Sequence, residues 1–394
     1  MIEALAARVK ELEAKQAATP VGAAAAPAAA VAQAQPAVSD AERLQAVGQQ
    51  INQIETANAA RQGDDTGLPV HGFADVNLGN HNPFHAYEKG ISLNNFDLYL
   101  TPKLGGNWLS PFELNFEVDR FGNVGVGIER GQLGYQSGDA ATVWVGRFHT
   151  PFGYVNTAFH HGVWLNDSLR RPGFLVFEDQ GGVLPAHTVG AWLTGAAHGE
   201  GGKVLYDAFA GNGQQIIGGQ IDMRSGGNDH GKLIYGGRLG YQWTTGPAEG
   251  LLVGVHAFDS KIDDDQVPQS LTELRVAGAD AVYNTDTWEV LGEAYWFNNV
   301  DLYQSMGTHH SNAYFAQVGY RLPYFIPYVR ARLDQTDQYF AQQLTGGFYY
   351  RTAAGFRRDL NQKVAIKFEV ANTPYTDRIV GDFNEFLSQL AVRF

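Results

Sequence analysis

Asn384-Glu-Phe-Leu-Ser-Gln-Leu-Ala-Val-Arg-Phe394 is a strand written in two alternating registers. Phe386, Leu390, Val392 and Phe394 share one parity with Ser388, while Glu385, Gln389 and Arg393 share the other with Leu387 and Ala391. Successive strand side chains point to opposite faces, so the stretch has an apolar face and a mostly polar one. An amphipathic edge strand of a soluble sheet would read this way. So would the closing strand of a membrane-spanning β-barrel, and the rest of the chain decides between them.

Composition narrows the class. The 394 residues hold no apolar run long enough for a membrane helix, which needs about 18 residues. Aromatics at 12%, charged residues at 18% and 47 glycines suit strands and turns better than helices. A net charge of -13 argues against a nucleic-acid partner. The absence of cysteine removes disulfides, thiolate metal sites and a thiol nucleophile. No charged-then-apolar signal segment opens the sequence, so an exported protein would be read here in its mature form, with Met1 added or retained.

Residues 1–62 read as helix, linker, helix. Ile2, Leu5, Val9 and Leu12 form a short heptad seam within 1–17, too brief to be stable alone. Residues 18–38 are an Ala-rich linker punctuated by Pro20, Pro27 and Pro36. Ser39 and Glu42 form a capping box that opens a second helix over 39–62, with Leu44, Val47, Ile51 and Ile54 on its seam. A lone amphipathic surface helix is the plainer reading; a self-associating coiled coil is preferred, since nothing nearby offers an apolar docking face.

From Val70 the period becomes two, and 69–394 reads as one all-β domain. Phe112, Leu114, Phe116 and Val118 alternate with Glu113, Asn115, Glu117 and Asp119; Val364, Ile366, Phe368 and Val370 alternate with Lys367 and Glu369. So many one-sided strands leave too little apolar surface for a sandwich core. A barrel with lipid outside and water inside needs none. Sixteen strands are expected, near 70–78, 92–103, 109–119, 126–136, 140–148, 186–195, 202–211, 231–244, 250–259, 271–283, 287–297, 312–322, 325–334, 346–358, 363–372 and 384–394. Short turns alternate with long acidic or Gly-rich segments, the rhythm of an antiparallel transmembrane barrel. The exception is the short 120–125. An even count leaves both barrel ends, and the helical arm, on the periplasmic side.

Cost sets the register. Slipping the strand at 325–334 by one residue would turn Arg330 and Arg332 toward lipid, at roughly 2–4 kcal/mol each near the midplane. Both are therefore expected in the lumen, and the same reasoning places Arg238, Arg275, Arg321, Arg351, Arg357, Lys367 and Arg393 there. Trp243, Trp288, Tyr241 and Tyr320 fall outward near short turns, as an aromatic girdle would.

The outlier is the connection at about 149–185, which carries Gly146-Arg-Phe-His-Thr-Pro-Phe-Gly153 and Phe177-Glu-Asp-Gln-Gly-Gly-Val-Leu-Pro185. That start, the third-loop position and the closing strand ending on Phe resemble the phosphate-selective porin O and P superfamily, and the arm ahead of the barrel is similar to DcaP-like trimeric porins. The resemblance implies a homotrimer of sixteen-stranded barrels in a Gram-negative outer membrane, in contact with lipid and lipopolysaccharide. It also implies a third loop folded inward as a constriction. That loop offers His149, His160, His161, Arg170, Arg171, Glu178 and Asp179. It departs from phosphate-selective members in having Arg170 and Arg171 as its only cations and no lysine.

Charge along the chain is uneven. Asp75, Asp97, Glu113, Glu117 and Asp119 come from the first three strands, whereas arginines concentrate in the last five. Two opposed walls would set up a transverse field, and mutual neutralisation across the barrel seam is the alternative. Small anionic solutes are favoured. His149, His160, His161 and His187 bracket the loop but lack a carboxylate at ligand spacing, so they are read as hydrogen-bonding residues, with no metal and no cofactor expected. Glu113 and Glu117 lie two pleats apart as lumen wall, and Asp259 with Asp263 to Asp265 is a solvated tip. No nucleophile elbow, phosphate loop or zinc-protease helix appears. The expectation is a passive diffusion channel for small polar solutes and no enzyme. The alternative is a structural outer-membrane protein that reaches peptidoglycan through the arm.

Overall fold

A computed structural model describes residues 68–80, 90–118, 124–160, 165–175, 184–217, 220–222, 231–264, 271–303, 307–336, 347–374 and 383–394. The helical segments expected over 1–17 and 39–62, and the linker between them, lie outside the described residues.

The chain forms one continuous sheet. Its barrel strands are β1 (Val70–Gly79), β2 (Gly90–Leu100), β3 (Phe112–Val118), β4 (Val124–Ser137), β5 (Ala141–His149), β6 (His187–His198), β7 (Gly202–Asn212) and β8 (Leu233–Trp243). There follow β9 (Leu251–Asp264), β10 (Leu271–Asn284), β11 (Trp288–Asp301), β12 (Thr308–Tyr320), β13 (Ile326–Thr336), β14 (Gly347–Asn361), β15 (Val364–Thr373) and β16 (Phe383–Arg393). Every strand pairs antiparallel with its sequence neighbour, and β16 returns to β1 in register Phe73↔Arg393 through Gly79↔Leu387, closing a sixteen-stranded barrel. The two-residue piece Trp108–Leu109 continues β3 against β4 beyond Ser110 and Pro111, where proline has no N–H to give the ladder. A small hairpin, Gln215–Ile217 with Gln220–Asp222, lies in the connection after β7.

At one barrel end the connections are short (138–140, 199–201, 285–287, 362–363), and at the other they are mostly long, with 150–186 the longest. Strand β9 runs to Asp264 and β11 to Asp301, beyond the expected ends, because polar alternation continues the ladder past the apolar belt.

The two faces sort as the alternation requires. Val126, Ile128, Val143, Val145, Leu239, Val255, Val329, Val370, Phe386 and Leu390 are exposed around the outside, a surface suited to hydrocarbon rather than water. At the short-turn end Trp288 meets Tyr320, and Tyr241 meets Trp243, edge to face at 4.7 Å in each pair. Phe394 exchanges backbone hydrogen bonds with Gly72 at 3.0 Å and stacks on Phe96. A Cβ on Gly72 would stand 2.6 Å from that Phe394 ring, so only glycine lets the closing strand seat there.

The interior departs from the water-filled expectation. Phe209, Ile234, Leu252, Phe258, Leu274, Val276, Leu291, Tyr295, Phe297 and Phe315 point inward and join Phe152, Val155, Phe159, Leu165, Phe174 and Leu175 of the long connection in one buried apolar cluster. The barrel has an apolar core after all, supplied by a loop that covers one wall.

Candidate functional site: the loop across the lumen

The loop's neck is clamped first. Thr150 Oγ1 and Thr188 Oγ1 lie 2.8 Å apart, and Asn156 Nδ2 donates to the carbonyls of Thr150 (2.9 Å) and Ala186 (3.3 Å). Pro151, Phe152 and Gly153 then turn the chain inward. Gly153 has φ 60°, and a Cβ there would collide with the Tyr295 hydroxyl, so both conformation and space require glycine. The turn delivers the backbone N–H groups of Tyr154 and Val155 to Glu293 Oε1 on β11, at 2.5 and 2.7 Å, while the Tyr295 hydroxyl donates to Glu293 Oε2 at 2.8 Å. A single helical turn, α1 (Val155–Ala158), follows. Phe152 packs 5.4 Å from Phe258, and Phe174 packs 5.1 Å from Tyr295. Burying each such ring contributes roughly 1.5–3 kcal/mol.

The next segment is held by directed polar contacts to the adjoining wall, β13 to β16. Ser168 Oγ and the Leu169 N–H donate to Glu369 Oε2 at 2.8 and 3.2 Å. Asp167 Oδ1 sits 3.6 Å from Arg357, and Arg170 pairs with Glu385 at 3.1 Å. Arg330 donates to the Arg170 carbonyl. Arg171 stays within the loop, donating to the carbonyls of Leu175, Phe159 and His160 and to Asn156 Oδ1. The loop's two cations thus both hold it in place, Arg170 against the barrel wall and Arg171 from within.

Lumen charge is paired rather than segregated. Arg238 meets Asp280 at 2.6 Å, Arg321 meets Glu289 at 3.0 Å, Arg357 meets Asp359 at 2.9 Å, and Arg351 bridges Glu369 (2.8 Å) and Glu385 (3.1 Å). On the first strands Glu113 has Arg130 at 3.5 Å, and Asp97 accepts from Asn115 at 2.7 Å. The expected opposition of an acidic and a basic wall is therefore corrected: carboxylates stand among the arginines because an unpaired buried charge costs several kcal/mol. Lys367 is fully buried inside as well. Arg393 keeps the inward parity but lies at the short-turn rim, donating to the Gln362 carbonyl at 2.6 Å.

Arg275 is a second correction. On β10 it shares the exposed parity with Ala277 and Ala281, while Leu274, Val276 and Asp280 point inward. It lies toward the long-loop end and pairs outside with Asp259 at 3.3 Å and Glu273 at 2.5 Å. The lipid penalty behind its inward assignment applies near the midplane and fades toward the interface.

Of the other expected residues, His149 and His160 come together with His187 at the loop's neck. His161, Glu178, Asp179 and Asp119 lie outside the described residues, as do the side chains of Glu117 and Arg332. The residues missed in the sequence are the loop's anchors, Glu293, Glu369 and Glu385. Their inward parity was legible, whereas their partners, more than a hundred residues away, were not.

No protein-family model matches the sequence, and no curated protein matches it. Solved structures do match its fold. The anion-selective porin from Comamonas acidovorans has 15% identity and a TM-score of 0.57, with 83% of this chain and 98% of that chain covered. OmpT, an outer membrane protein of Vibrio cholerae, gives 10% and 0.53 over 84% and 98%. The outer membrane channel DcaP of Acinetobacter baumannii gives 12% and 0.52 over 83% and 97%. The fold is thus the sixteen-stranded barrel of outer-membrane porins.

Proposed function

We propose that this protein is a passive outer-membrane channel for small polar solutes, with the 150–186 loop as its constriction. The observation that carries the reading is the loop's path across the lumen, from its neck between β5 and β6 to Glu293 on β11 and to Glu369 and Glu385 on β15 and β16. A loop seated this way narrows a water path without closing the barrel, and selectivity then follows from aperture and local charge. The porin neighbours support the same reading, and a trimeric form of OmpT among them favours a homotrimer.

The lean toward anionic solutes rests on Arg330. It is 4% exposed, lies 5.5 Å over the Phe315 ring, and has no carboxylate within ion-pair distance among the described residues; its Nε and Nη2 also lack acceptors there. Buried beside the loop without a carboxylate partner, its charge sets a positive potential that favours a carboxylate or phosphate in the water path.

Planar-bilayer recording tests the proposal. Conductance in steps of three supports a trimeric channel, while a folded but silent protein overturns it in favour of an outer-membrane anchor. In a salt gradient the reversal potential should report anion preference, and Arg330→Ala should reduce it; cation-carried current refutes the anion reading. Deleting residues 1–62 should weaken the trimer if the arm assembles it, and retention of peptidoglycan in pull-down by the arm alone would extend its role to the cell wall.

A further inference from the structure

We propose that His149, His160 and His187, with Glu129, bind one divalent late first-row transition-metal ion, Zn²⁺ by preference, at the neck of the loop. Each histidine offers a ring nitrogen, and the three lie within 4.8 Å of one another in a buried setting. They come from three separate places: the end of β5, the loop itself and the start of β6.

His160 is oriented as a ligand would be. Its Nδ1 lies 3.1 Å from the Asn156 carbonyl, which fixes the proton there and leaves the Nε2 lone pair facing inward. That Nε2 is 2.6 Å from His187 Nε2, and His187 Nε2 is in turn 2.7 Å from Glu129 Oε2. One nitrogen therefore faces both a lone pair and a carboxylate, an arrangement that a cation among them satisfies as fully as a shared proton does. Glu129 reaches this point because of a β-bulge. The β3–β4 register jumps from Glu113↔Arg130 to Leu114↔Ile128, leaving Glu129 as the extra residue. Bulges re-aim a side chain in this way beside sites. Glu113 provides a second carboxylate 3.1 Å from His149 Nε2, itself braced by Arg130.

Three imidazoles and a carboxylate are a borderline donor set that suits Zn²⁺, Cu²⁺ or Ni²⁺ better than Ca²⁺ or Mg²⁺. Metal–nitrogen bonds of about 2.0–2.1 Å in a tetrahedron space the donors roughly 3.3 Å apart. The His160–His187 pair must open slightly, and the His149 ring must tilt out of its 3.6 Å stack on His160. Both are side-chain rotations. Bound there, the ion would tie the loop to the strands on either side of it.

The test uses tag-free, full-length protein in detergent, stripped with EDTA and then given ZnCl₂. About one Zn²⁺ per chain should survive desalting, by elemental analysis, and Co²⁺ should give the intense visible absorption of a four-coordinate site. His160→Gln should lose at least the roughly 10–100-fold affinity that even an outer-shell partner supplies. His310→Gln, an exposed strand histidine, should lose none. The proposal is overturned if folded wild-type protein retains no Zn²⁺, if Co²⁺ gives only a weak octahedral spectrum, or if His160→Gln binds as tightly as wild type. The wild-type cobalt spectrum decides the matter even where a variant misfolds.

Discussion

Along β9 to β12 the inner wall is largely apolar, with Leu252, Phe258, Leu274, Val276, Leu291, Tyr295, Phe297 and Phe315 packed under the loop. From β13 to β16 it is ionic, with Arg330, Arg351, Arg357, Lys367, Glu369 and Glu385 buried together. One loop touches both walls. On the first it is held by ring burial, which is strong but indifferent to orientation. On the second it is held by hydrogen bonds of fixed direction, notably from Ser168 and Leu169 to Glu369. The apolar wall thus keeps the loop inside the barrel, while the ionic wall sets where its polar edge stands. Glu293 joins the two modes: unlike the wall's other buried carboxylates Asp280 and Glu289, which pair with arginines, it is satisfied by two backbone N–H groups of the loop and a tyrosine hydroxyl.

Four substitutions probe this division. Gly153→Val should have the largest effect, because its side chain meets Tyr295 and Glu293 at a φ of 60°. The loop should unseat from the apolar wall, and single-channel conductance should rise several-fold; unchanged conductance would mean the loop does not set the aperture. Phe152→Ala should come next, with a loss of about 3–5 kcal/mol in denaturant unfolding and little change in ion selectivity. Glu369→Gln should cost about 3 kcal/mol by stripping Arg351 of a buried partner. It should also shift the reversal potential further toward anions, a change Phe152→Ala should not produce. If both variants shift selectivity alike, the two walls do not divide the work. Phe394→Ala should be the mildest, at about 1 kcal/mol for its stack on Phe96 beyond area burial. A thermal melt would read it, with conductance unchanged.

Period-two alternation located all sixteen strands, because an outer face toward lipid and an inner face with polar positions leave a two-residue period along most of them. In β13 the parity of Val329 against Arg330 was enough to set the register. The rule misled at Arg275, where the strand has left the depth at which a charge is excluded. It was silent on the inward apolar residues: Phe258 and Leu252 break the alternation of β9, and nothing local says what would cover them. The neck histidines were visible, but their carboxylate was not, since Glu129 is brought to His187 by a bulge that single-strand periodicity does not report.

Strand number, closure and the outward belt were therefore written in local order, since each follows from the spacing of apolar residues along a single strand and from the solvent that strand must face. The loop's position across the lumen, the pairing of arginines with carboxylates and the gathering of His149, His160 and His187 were settled only when the barrel closed. Those contacts join residues far apart in the chain, such as Val155 with Glu293 and Ser168 with Glu369. Burial makes each contact decisive, because inside the barrel a polar group must find its partner in whatever side chain the closed sheet places opposite it.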